Sequence, residues 1–111
     1  MKIYFILYTT AGTKDVAVTS LHRVARKIDV EPQEIETDTH SNGNLKVSFS
    51  IERPDCSWEE TVVDVIKIAQ RFGTGWRIEE VITGCIDLWS DAVAVAGIMS
   101  CRIYVGRSCV Y

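Results

Sequence analysis

Three observations predict an α+β domain: apolar residues recur at helical spacing in two separate stretches, strict apolar/polar alternation surrounds an Asn42-Gly43 turn, and Pro-rich or low-complexity tracts are missing. At 111 residues, 47% hydrophobic and 24% charged, the chain excludes the disordered and collagenous classes. A chain of this mass buries about two-thirds of its unfolded surface in one core, so residues 1–111 are read as a single domain.

The chain opens with a strand over Lys2 to Thr9, which Gly12-Thr13 interrupts before Asp15. Ala17, Val18, Leu21, Val24, Ala25 and Ile28 then fall on one helical face, leaving His22, Arg23, Arg26 and Lys27 on the other. Val30 and Pro32 end this amphipathic helix. Residues 34–53 form a hairpin in which Leu45, Val47, Phe49 and Ile51 point one way and Lys46, Ser48, Ser50 and Glu52 the other. A two-residue Asn-Gly loop would put acids on the apolar face. Pairing Thr39 with Leu45, Thr37 with Val47 and Ile35 with Phe49 avoids this and requires a bulged or five-residue loop.

Ser57-Trp58-Glu59-Glu60 is a capping box that starts a second helix, whose stripe is Trp58, Val62, Val65, Ala69 and Phe72. Gly73 is its C-terminal stop. Trp76 to Leu88 fits one strand with Trp76, Ile78, Ile82, Ile86 and Leu88 inward, although the run 78–88 also satisfies a helix; Gly84 favours strand. Met99 to Val105 is the last strand. The order strand, helix, strand, strand, helix, strand, strand predicts a ferredoxin-like antiparallel sheet with two helices on one face and an extra C-terminal strand.

Charge is uneven along the chain. Residues 1–28 carry five Lys/Arg against one acid, whereas residues 29–91 carry five against fourteen. The run from Asp29 to Asp38 holds five carboxylates and no base, so it repels phosphate backbones and attracts basic protein surfaces. The segment LHRVARKIDVEPQEI approaches helix-turn-helix spacing, but Asp29 stands at the turn and Glu34, Glu36 and Asp38 would face the groove. Nucleic acid is therefore not the expected partner.

Cys56, Cys85, Cys101 and Cys109 form no CxxC pair and are read as free thiols, and His22 and His40 lie too far apart in sequence for a zinc set. No metal or cofactor is expected. The apolar run Ile3 to Tyr8 is shorter than a secretory core, and no stretch suits a membrane helix, so the expectation is a cytoplasmic protein without membrane contact. Glu59-Glu60 and Glu79-Glu80 are adjacent pairs whose side chains diverge, and no P-loop, GxGxxG or Ser/His/Asp signature is present, so the chain is not read as an enzyme. Trp58 and Trp76 are read as core. Trp89, beside Asp87 and Asp91, is core by default and an interface anchor as the alternative.

The segments SLHRVARKIDVEPQEIE and SFSIERPDCSWEETVVDVIKIAQRFGTGW have the character of a small acidic bacterial protein, and the whole resembles immunity proteins of bacterial toxin-immunity systems. The resemblance implies a monomeric, non-enzymatic partner that neutralises a cognate toxin domain, often a basic nuclease, through an acidic surface. From the charge run, that surface is expected to centre on Glu31, Glu34, Glu36 and Asp38. Asp55 and Glu59 extend it if the hairpin end lies near the second helix. The alternative reading is a ferredoxin-like small-ligand-binding regulatory domain.

Overall fold

The computed structural model describes residues 1–106. Strand β1 (Lys2–Thr9) leads into helix α1 (Lys14–Ile28), followed by β2 (Gln33–Thr39), a 3-10 turn at Ser41–Gly43, and β3 (Leu45–Glu52). Helix α2 (Trp58–Phe72) comes next. After it lie β4 (Gly73–Thr74), β5 (Arg77–Ile82), β6 (Cys85–Ser90), β7 (Ala92–Val93) and β8 (Ile98–Val105).

Six strands form an antiparallel sheet in the order β2-β3-β1-β8-β6-β5, and β4 and β7 make a separate two-stranded ribbon. Alternation sorts the faces. Ile3, Phe5 and Leu7 of β1, Val47, Phe49 and Ile51 of β3, Ile86 and Leu88 of β6, and Cys101, Ile103 and Val105 of β8 are all buried. Leu21, Val24 and Ile28 of α1 and Val65, Ile68, Ala69 and Phe72 of α2 complete the same core. Both helices thus cover one side of the sheet. The other side, which carries Tyr4, Ile6, Tyr8, Ser48, Arg102 and Tyr104, has no helix over it among the described residues.

The α+β class, the two helices and the hairpin register are as the sequence implies. Thr39 pairs with Leu45 and Thr37 with Val47 across a five-residue loop, residues 40–44. The expected Ile35–Phe49 pair is replaced by a bulge in which Glu34 takes φ 53, setting Gln33 opposite Ser50. Thr13 caps α1, its hydroxyl accepting from the Val16 amide, and Ser57 caps α2 by accepting from the Glu60 amide.

Two expectations need correction. Residues 76–88 are not one strand. The chain reverses at Thr83-Gly84, where Gly84 has φ +84, so Ile86 and Leu88 are buried whereas Ile78 and Ile82 are more than half exposed on the edge strand β5. The strand expected as an extra at the C-terminus, β8, lies inside the sheet, paired to β1 on one side and β6 on the other.

The cysteines differ as well. Cys85 is disulfide-bonded, and Cys56 and Cys101 are the free thiols among the described residues. The reading of all four as free is thus overturned; Cys109 lies outside the described residues. Trp58 and Trp76 are half-buried at the rim of the core rather than within it.

Candidate interface on the open face of the sheet

Strand register places side chains in rows across the uncovered face. One row runs from Glu36 through Ser48, Ile6, Arg102 and Trp89 to Arg77, each residue directly opposite the next. The neighbouring row holds Ser50, Tyr4, Tyr104 and Asp87. Tyr4 and Tyr104 stack with ring centroids 5.1 Å apart and planes 13° from parallel. The Arg77 guanidinium carbon lies 4.0 Å from the centroid of the Trp89 ring. Arg102 Nε sits 3.1 Å from Asp87 Oδ1, over a carboxylate that is almost completely buried.

Burial pushes the Tyr104 phenol up, with Tyr4 and Asp87 adding to the shift and Arg102 opposing it. Tyr104 therefore stays a neutral hydroxyl, an apolar ring with a donor at its tip.

The acids of β2 join this face. Glu36 and Asp38 line a shallow hollow of about 280 Å³ with Ile6, Lys46, Ser48 and Tyr104. Glu34 accepts from Lys2 Nζ at 2.7 Å and from Ser50 Oγ at 2.6 Å, and these two hydrogen bonds, Lys2 first, hold its carboxyl below the ordinary range. Asp38 accepts from its neighbour's amide, Thr39 N, at 2.8 Å.

Glu34, Glu36 and Asp38 are thus brought together along one margin of the open face. The other three residues of the expected surface are not. Glu31 is exposed in the connection before β2. Asp55 lies past the end of β3 and accepts from the N-terminal ammonium of Met1 at 3.0 Å. Glu59 belongs to the helix layer, beside Glu60, Val63, Asp64 and Lys67 on the exposed side of α2. Sequence reasoning missed Tyr4, Tyr104, Arg102 and Arg77. Their signal was present: Lys2, Tyr4, Ile6 and Tyr8 alternate with the core residues of β1, as Arg102 and Tyr104 do with those of β8.

Among the described residues no group of three or more His, Cys, Asp or Glu side chains could hold a metal ion, and no helix is long and apolar enough to cross a membrane. Neither protein-family models, nor curated proteins, nor solved structures give a match to this chain.

Proposed function

We propose that the chain is a protein-binding domain of the immunity type, which neutralises a basic toxin domain by presenting the open face of its sheet. The observation that carries this is the row Arg102, Trp89, Arg77 beside the stacked Tyr4 and Tyr104, flanked on the β2 side by Glu34, Glu36 and Asp38. Tyr, Trp and Arg are the side chains that dominate the energetics of protein interfaces. A carboxylate margin beside such a centre steers a cationic partner and sets its register. A nucleic acid would bring its phosphates against Glu34, Glu36 and Asp38, so the same face suits a protein better.

We also read β2-β3-β1-β8 with α1 and α2 as a ferredoxin-like core carrying the β5-β6 hairpin as an insertion before its last strand. The Cys85 disulfide fits an oxidising compartment better than the cytoplasm expected from the short apolar run at Ile3 to Tyr8.

The test is affinity capture from the native host, then association and dissociation rates for the captured partner. The Glu36→Lys, Asp38→Lys variant should associate more slowly at low salt and approach wild type when salt screens charges beyond about 8–10 Å. Trp89→Ala should speed dissociation instead. Wild-type rates for both variants at low and high salt would remove the open face as the interface.

A further inference from the structure

The two edges of the sheet are guarded unequally. Strand β2 carries Glu34, Glu36 and Asp38 and is broken by the bulge at Glu34, the devices that keep an edge from pairing with another chain. Strand β5 exposes apolar side chains instead: Ile78, Val81 and Ile82 are 58%, 45% and 55% exposed. Ile78 stands opposite Leu88 and Val81 opposite Ile86, both buried partners, so Ile78 and Val81 lie on the helix side of the sheet. On that same side a hollow of about 470 Å³ opens between α2 and β5, lined by Ile66, Ala69, Gln70, Trp76, Ile78 and Leu88. Among the described residues β5 pairs with β6 alone, so a strand laid along its outer edge would extend the sheet and place alternate side chains over this hollow.

Charge decides what fits. The centre of β5 is the acidic pair Glu79-Glu80. An antiparallel pairing of β5 with a second copy, centred on the strand, would set that pair against itself, and like charges directly opposite destabilise a sheet.

We propose that the outer edge of β5 and the adjoining hollow accept an extended, basic-apolar segment of a partner protein as a seventh strand. One apolar side chain enters the hollow and a Lys or Arg faces the exposed Glu79. This site lies at the opposite edge from the acidic strip and does not depend on the immunity reading.

The experiment is amide NMR of the full chain titrated with two short synthetic peptides, one alternating Val and Lys, the other alternating Val and Glu. The Val/Lys peptide should shift the amides of residues 77–82 together with Ile66, Gln70 and Trp76, and should bind more tightly than Val/Glu. Ile78→Lys, at an exposed position, should keep the remaining spectrum and weaken the Val/Lys peptide about tenfold or more. Glu79→Lys should narrow or reverse the preference between peptides. Shifts confined to β2, the lack of any saturable shift, or equal binding of the two peptides would overturn the proposal. So would β5 shifts that follow protein concentration alone, because a second copy would then occupy the edge.

Discussion

Asp87 and Arg102 form an ion pair on the side of the sheet opposite the two helices, yet the Asp87 side chain is only 2% exposed. The pairing is diagonal: Asp87 stands opposite Tyr104, and Arg102 opposite Trp89. The Arg102 guanidinium and its aromatic neighbours therefore shield a carboxylate that backbone geometry alone would leave in water. Arg102→Ala should destabilise the protein by about 3–5 kcal/mol in urea melts, because it leaves a buried charge without its guanidinium partner. Adding Asp87→Asn to that variant should recover part of the loss. A loss under about 0.5 kcal/mol for Arg102→Ala would mean that water already reaches Asp87.

Lys2 and Glu34 give stability a dependence on pH at both ends. Glu34 is held below its ordinary value of 4.5, so its contribution is complete above that pH and is lost as pH falls through the lower folded value. Lys2 is raised above 10.5, chiefly by the hydrogen bond to Glu34, so its contribution is complete below 10.5 and is lost as pH rises through the higher folded value. Both groups are exposed, and added salt should weaken both effects. Glu34→Gln should flatten the acid limb of melting temperature against pH, and carboxyl NMR titration should show Glu34 protonating below free glutamate.

Thiol counting separates the cysteines. The Cys101 thiol is pushed well up by complete burial and should be inert in the folded protein, while exposed Cys56 should react. Denatured protein should titrate fewer than four thiols before reduction and all four cysteines of the sequence after it. Four thiols without reductant would rule out the Cys85 disulfide.

At Gly73 space matters more than backbone freedom. Its φ is −162°, ordinary extended backbone, but a Cβ there would come within 3.1 Å of the Trp76 ring and 3.3 Å of the Ala92 carbonyl oxygen. The ring is held in place because Trp76 Nε1 donates to the Ala69 carbonyl at 3.0 Å. Gly73→Ala should therefore cost about 1–3 kcal/mol by overpacking, measured by urea melts. A neutral result would show that the Trp76 ring moves freely.

Phe72 and Trp58 rank the helix stripe. Phe72 is fully buried and packs against Phe5 and Trp76, so Phe72→Ala should cost about 3–5 kcal/mol. Trp58 lies half-buried at the start of α2, and Trp58→Ala should cost less than Phe72→Ala. The reverse order would place Trp58 in the centre of the core.

What could be read in advance follows the range of the interactions. The stripe of α2, the Ser57 cap and the pairs Thr37–Val47 and Thr39–Leu45 depend on residues close in sequence, where spacing and alternation carry the information. The reversal at Thr83-Gly84 was hidden because apolar residues continue on both sides of it, and Gly84 serves equally as a strand interruption and a turn. The place of β8 beside β1 is a tertiary choice that local spacing does not encode. The acidic half of the open face was legible as a charge run. Its aromatic and cationic half was legible only as alternation within single strands and not as a cluster, because Tyr4, Arg77, Trp89, Arg102 and Tyr104 meet only after four strands have been set side by side.

The position of β8 also constrains how the molecule comes into being. Phe5 of β1 finds its neighbour Ile103 only in β8, the last of the described strands to be made, so one flank of β1 stays unmatched until β8 has been synthesised. A nascent chain holding β1, α1, β2, β3 and α2 has both helices but lacks the strand that joins β1 to β6. Closing so long a loop is entropically costly before the contacts it enables can form, which predicts slow, late acquisition of the native state. Truncation before residue 98 should then leave a chaperone-dependent, aggregation-prone product rather than a smaller stable domain.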